Sequence, residues 1–326
     1  ASIFDKQYLP DTWQWGDIGN YYASGVSGLN FHENMFFVYF NAGGRIGYPA
    51  TLDGTLPYNL DVNLQNEVIT GGEKSGDQVV VYGEPSSSIR MCRGTVPLGS
   101  SHFGIRAAMP RPAETCAKLF VTYLRNHGSN VSGDTEEVFA VPKEMKVALK
   151  YCSNPFYVIA QYTNQTSNNT YAECIYKYLG YQRFGLGSFQ NGEKAVKEYF
   201  HSLGLETGGV HMVDGSGLSR ENRATADFMC RFLEKVSQED YFDQFQQTFG
   251  VVGKSGTVRM MNMELPAKVT VHVKSGSMQG ICSFAGYVER GDGFQYAFSI
   301  LCNGYDGSGA NARAKLQDII REIAML

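Results

Sequence analysis

Two kinds of short run hold side chains whose types and spacing could do chemistry. Ser167-Asn168-Asn169 sets a hydroxyl two positions from a carboxamide, a pair that can relay a proton and hold a substrate amide. The run also stands where a helix is predicted to begin, and Ser and Asn are favoured there simply because their side chains cap free backbone N–H groups. Lys-Ser-Gly occurs at Lys74-Ser75-Gly76, Lys254-Ser255-Gly256 and Lys274-Ser275-Gly276. The triplet alone carries little information, so its surroundings decide. Lys74 lies in a turn-rich segment and Lys254 in a glycine loop after a helical pattern, whereas Lys274 ends an alternating strand that leads into a hairpin. An edge strand of that kind can pair with an extended peptide and offer Lys and Ser side chains to its carboxylate. This selects Lys274.

Other chemistries fail on their own terms. Gly253-Lys254-Ser255 resembles the end of a phosphate-binding loop, but the first glycine that loop needs would fall at Thr248. Gly185-x-Gly187 is followed by Gln190 where a dinucleotide site needs a third glycine. The six histidines show no paired metal spacing, and the seven cysteines are scattered without a C-x-x-C pair. No metal or cofactor is expected, and the cysteines read as buried thiols that leave the redox compartment open. A net charge of -4 without basic blocks removes the electrostatic footprint of nucleic-acid binding. Apolar runs such as Met35 to Phe40 and Phe298 to Cys302 are far shorter than the roughly 20 residues that cross a bilayer, so no transmembrane segment is expected.

The elements that must position these runs are legible from their periods. At 326 residues two or three compact units are expected. Residues 28–99 read as short alternating strands broken by turn clusters. Helical patterns follow at 169–181, 193–203, 224–236 and 312–326, the last with Leu316, Ile319, Ile320 and Ile323 on one apolar face. Between them, Val269, Val271 and Val273 alternate with Thr270, His272 and Lys274 in a strand over 268–276, and Gly291-Asp292-Gly293 joins two long apolar strands as a hairpin. The fold class is therefore α/β (α+β), with an antiparallel sheet and helices against it in the C-terminal half.

The runs DTWQWGDIGNYYASGVSGLNFHEN, TSNNTYAE, VDGSGLSREN and VHVKSGSMQGICSFAGYV together resemble, in order and spacing, the serine D-Ala-D-Ala carboxypeptidase/endopeptidases of the penicillin-binding protein 4 type. The resemblance implies a penicillin-binding, β-lactamase-like antiparallel sheet with flanking helices and inserted β-rich domains. It implies that residues 1–27 and 100–150 are part of an insertion domain, 28–99 its inner small β domain, and 151–326 the catalytic domain, incomplete on its N-terminal side. Family members carry Ser-x-x-Lys well upstream of the segment matched at Trp15. No lysine here has a serine three residues before it, so the chain reads as lacking that segment; Thr115-x-x-Lys118 and Cys174-x-x-Lys177 mimic it in the wrong part of the fold. The start at Ala1, without methionine or leader, is expected to follow removal of any signal peptide.

By the same resemblance, Ser167 passes a proton to the leaving D-alanine, Asn169 holds the acyl part's amide and Lys274 supplies positive potential. Ser275 and Ser277, flanking Gly276, bind the terminal carboxylate, with the Ser277 N–H as an oxyanion donor. Asp17 and Tyr22 meet the free amino end of the stem peptide's diamino acid, and Gln279 lines the same pocket. A carboxylate facing an ammonium is the physical sense of Asp17, although a turn aspartate would look the same. VDGSGLSR is read as structural. The implied function is D-alanyl-D-alanine carboxypeptidase/endopeptidase action on peptidoglycan stem peptides through a serine acyl-enzyme, with β-lactam antibiotics as ligands, in the periplasm or otherwise outside the cytoplasm. The alternatives are a non-catalytic peptidoglycan-binding homologue, since the nucleophile segment is absent, and a β-lactamase, against which the large insertion argues.

Overall fold

A computed structural model describes residues 2–140, 144, 146–147 and 149–326. Its elements run β1 (Met35–Asn41), β2 (Thr51–Leu56), β3 (Asn63–Gly71), β4 (Val80–Tyr82), β5 (Ile89–Pro97), β6 (Phe103–Ala108), α1 (Pro112–Asn126), α2 (Phe156–Thr166), α3 (Asn169–Phe184), α4 (Phe189–Ser202), α5 (Ala226–Val236), α6 (Phe242–Gln247), β7 (Gly250–Val251), β8 (Thr270–Met278), β9 (Ile281–Glu289), β10 (Gln295–Asn303) and α7 (Gly309–Met325). By packing, the chain divides into two units: residues 1–146, 172–192 and 213–220, and residues 147–171, 193–212 and 221–326.

The first unit holds two small sheets, β2-β1-β6 and β3-β5-β4. Period-two burial builds its core: along β1, Phe36, Val38 and Phe40 are fully buried while their neighbours are not, as a half-buried strand requires. Against them pack Val68, Val81, Cys92, Val96 and Ile105. Later in the chain, Glu173 accepts the N–H groups of Gly215 and Ser216, both at 2.9 Å. Asp214 accepts from Trp13 Nε1 at 2.8 Å and from the Ser219 N–H at 2.6 Å. The VDGSGLSR run is thus a hydrogen-bonded turn anchored by buried Asp214 and Ser219.

The second unit contains the antiparallel sheet β10-β9-β8-β7. Val271, Val273, Cys282, Phe284, Val288 and Phe298 meet Leu316, Ile320 and Ala324 of α7 on one face. Tyr287 meets Leu233 of α5 and Phe249 on the other, because successive strand residues point to opposite faces. The expected α7 stripe shifts slightly: Ile319 is 45% exposed, and Ala324 takes the inward place a turn from Ile320. Its start moves forward to Ser308, whose hydroxyl accepts the Asn311 N–H at 3.2 Å, the usual N-cap bond. Three helices went unanticipated, α1, α2 and the short α6. In α1 only Pro112 and Ala113 are fully buried and in α2 only Thr163, so neither helix lies deep in a core.

Candidate functional site

The turn between α2 and α3 is two residues long, and the two divide its work. Asn168 Oδ1 accepts the Tyr171 N–H at 3.1 Å, so Asn168 is the residue whose side chain caps α3. Ser167 sits in the left-handed region at φ 54, ψ 47, a conformation that costs a side-chain-bearing residue about 1–2 kcal/mol. With capping done by its neighbour, the Ser167 hydroxyl is directed elsewhere. Lys274 Nζ donates to Ser167 Oγ at 3.0 Å and to the Ser275 carbonyl at 2.7 Å.

Lys274 reaches that position because β8 places it on the sheet face opposite the α7 core. Burial of its ammonium lowers its pKa to about 8, and among the described residues no carboxylate pairs with it. A lysine held there is a cation at neutral pH that gives up its proton readily. β7 pairs with β8 only at His272 and Val273, so from Lys274 to Met278 the outer edge of β8 has no strand partner among the described residues. Gly276 keeps this stretch slim: a Cβ there would stand 2.9 Å from Ser283 Oγ.

Ser275 points to the other face, where its Oγ lies 2.7 Å from Thr257 Oγ1. Thr257 belongs to the turn after Lys254-Ser255-Gly256, whose Ser255 Oγ accepts the Val251 N–H at 3.1 Å. That second triplet therefore builds the turn that braces the third, a role its sequence hid; the threonine directly after it was the available signal. Lys254 and Lys74 are both exposed in turns. Asn169 opens α3 beside Ser167. Gly276, Ser277 and Gln279 lie exposed at the open end of β8 and its turn.

In the other unit, Asp17 and Tyr22 meet: the Tyr22 hydroxyl donates to Asp17 Oδ1 at 3.0 Å, and burial together with the Asp17 charge raises the phenol's pKa. The two mimics of Ser-x-x-Lys are engaged otherwise. Lys177 Nζ is ion-paired to Asp5 at 2.7 Å and donates to the Gln7 carbonyl, while burial pushes the Cys174 thiol up to about 12. Lys118 pairs with Glu114 and Asp61, and the Thr115 hydroxyl donates to the Pro110 carbonyl. Among the described residues no group of three or more His, Cys, Asp or Glu could hold a metal ion, and no helix is long and apolar enough to cross a membrane.

The profile of the D-Ala-D-Ala carboxypeptidase 3 (S13) family matches residues 1–324. The chain is similar to the D-alanyl-D-alanine carboxypeptidase of an Actinomadura species, at 27% identity over 320 residues, covering 93% of this chain and 58% of that protein. It is also 23% identical over 324 residues to the D-alanyl-D-alanine carboxypeptidase DacB of Haemophilus influenzae, covering 98% of this chain and 67% of that one. The chain thus spans about three-fifths of the Actinomadura relative's length. The crystal structure of penicillin binding protein 4 (dacB) from Haemophilus influenzae has a TM-score of 0.84 to this chain at 23% identity, over 99% of this chain and 72% of that one. A second crystal structure of that protein, complexed with a novel beta-lactam, has a TM-score of 0.78 at 23% identity, over 93% of this chain and 70% of that one. The likeness establishes the fold expected from the sequence, an antiparallel sheet with flanking helices and additional β-rich parts.

Proposed function

The chain belongs to the D-Ala-D-Ala carboxypeptidase 3 (S13) family, and from that premise we propose that it serves a D-alanyl-D-alanine carboxypeptidase/endopeptidase acting on peptidoglycan stem peptides. The observation that carries this proposal is the 3.0 Å bond between Lys274 Nζ and Ser167 Oγ beside the edge of β8 that has no strand partner among the described residues. A stem peptide lies along that edge as an added strand, with its terminal carboxylate toward the hydroxyls of Ser275 and Ser277 on one face of β8 and Lys274 supplying positive potential from the other. Asn169 holds the amide of the acyl part. Ser167, sharing a hydrogen bond with a lysine whose pKa is near 8, relays the proton to the departing D-alanine. The Ser277 N–H faces the developing oxyanion.

The acyl-enzyme route needs an attacking serine activated by a neighbouring base. No Ser-x-x-Lys occurs in these 326 residues, so that serine comes from sequence outside them. β-Lactams occupy the same groove, a reading supported by the crystal structure of the Haemophilus influenzae penicillin binding protein 4 complexed with a beta-lactam. Asp17 with Tyr22 meets the free amino end of the stem's diamino acid, and Gln279 contacts the stem beyond the end of β8. Residues 1–27 and 100–150 form part of the family's insertion, 28–99 its inner β domain and 151–326 the catalytic domain, and the site of action is the periplasm or another extracytoplasmic space. The absence of Ser-x-x-Lys favours one other reading, a homologue that binds peptidoglycan stems without cutting them.

Fluorescent penicillin and intact-mass measurement separate the two. The full gene product is expected to gain one covalent penicillin while this chain alone gains none. A full product that binds stem peptides yet never acylates would establish the binding-only homologue, and acylation of this chain by itself would refute an external serine.

A further inference from the structure

On the neighbouring antiparallel strands β9 and β10, Cys282 stands directly opposite Cys302. The Gly304 N–H donates to the Gly280 carbonyl at 2.7 Å and the Arg290 N–H to the Phe294 carbonyl at 2.8 Å. Both bonds join directly opposite residues, and such bonded pairs recur at every second position, so Cys282 and Cys302 form a hydrogen-bonded pair with Cα atoms about 5.5 Å apart. Disulfides span Cα separations of roughly 4.4–6.8 Å and Cβ separations of roughly 3.5–4.5 Å; opposite Cβ atoms stand about 4.5–5.5 Å apart, so closing the bond draws the strands together and leaves it readily reducible. Directly opposite residues also project to the same face, here the α7 side, where Cys302 packs against the core that contains Cys282. Both are free thiols. Cys282 is buried, while Cys302 is part-exposed on β10, the outermost strand of the sheet.

We propose that Cys282 and Cys302 are a redox-active dithiol that closes to an intramolecular disulfide, with a low-molecular-weight disulfide such as oxidised glutathione as its oxidant. Cys302, the more accessible, attacks one sulfur of the oxidant as its thiolate; a bond forms to Cys302, the oxidant's S–S bond breaks and one thiolate leaves. The Cys282 thiolate then attacks the Cys302 sulfur and expels the second. Two protons leave the protein thiols for the two departing thiolates, and two electrons pass to the oxidant, which ends as two thiols. Ser277 lies directly opposite Cys282 on β8, so the closed disulfide sits beside the strand assigned to the substrate carboxylate. The cross-link depends on strand register and the approach of the two side chains, and stands whether or not the proposed activity does.

The native chain, treated with oxidised glutathione, quenched in acid and alkylated, is expected to lose one pair of alkylatable thiols and to yield a peptide joining Cys282 to Cys302. Cys302→Ser should leave Cys282 alkylatable and give no cross-link, and Cys282→Ser should trap Cys302 as a mixed disulfide with glutathione. Full alkylation of both residues after oxidation, glutathione on each without a cross-link, or joining of either to a different cysteine would overturn the proposal.

Discussion

Lys274 Nζ lies 3.0 Å from Ser167 Oγ although 107 residues separate them in the chain. The bond works because Ser167 occupies a left-handed backbone conformation and Asn168 takes over the cap. Backbone strain kept at a position like this is the usual companion of a side chain that must be aimed.

Ser167→Gly separates aiming from stability. Glycine enters the left-handed region without the steric cost borne by serine, so the midpoint of thermal unfolding should hold or rise by a few degrees. Penicillin acylation of the full gene product should fall by about 100-fold or more, the scale of losing one aimed polar group. An unfolding midpoint that drops sharply would mean that the hydroxyl serves the fold.

The pH dependence of ligand binding follows from Lys274. Its ammonium titrates near 8, and an anionic carboxylate binds the protonated form and raises that value. Affinity for a D-Ala-D-Ala peptide should therefore be flat below about 8 and fall above it by at most tenfold per pH unit. Calorimetric titration across this range would show it, and Lys274→Met should remove the slope together with most of the affinity.

Thr257 is expected to matter through Ser275. Thr257→Val removes the partner of the Ser275 hydroxyl, at a cost of about 0.5–1.5 kcal/mol, and should slow acylation less than Lys274→Met does. Thr257→Ser, which keeps the hydroxyl, should restore both the unfolding midpoint and the rate.

Asn168→Ala tests the division of labour in the turn. Loss of the bond to the Tyr171 N–H should destabilise the protein by about 0.5–2 kcal/mol, read by denaturant unfolding. An Asn168→Asp variant, which still accepts that N–H, should recover most of the loss.

Glu173 gives the stability curve a predictable slope. Burial and the nearby Asp214 charge push its carboxyl up to about 8, against the pull of its hydrogen bonds from Gly215 and Ser216. A carboxyl whose folded value exceeds its unfolded one contributes stability that is whole below the unfolded value, about 4.5, and is lost as pH rises through the folded value. Unfolding free energy should therefore decline over that window by up to about 1.4 kcal/mol per pH unit from this group, and Glu173→Gln should flatten the decline.

The amino-acid sequence by itself determined what repeats along the backbone. The alternation of Val269, Val271 and Val273, the Gly291-Asp292-Gly293 turn and the face of the last helix are local, because strand and helix periods translate directly into which side chains are buried. Helices α1 and α2, few of whose residues face a core, and the short α6 escaped notice. The runs holding Ser167 and Lys274 were legible as well, and the family resemblance said which triplet to prefer. What only the tertiary structure decided are meetings between distant residues: Lys274 with Ser167, Thr257 with Ser275, Tyr22 with Asp17, Cys282 opposite Cys302. It also decided that Asn168 rather than Ser167 caps α3. Nothing periodic encodes such pairs. They arise where strand register and core packing bring separate segments together, and a one-residue slip of β8 would turn Lys274 to the opposite face.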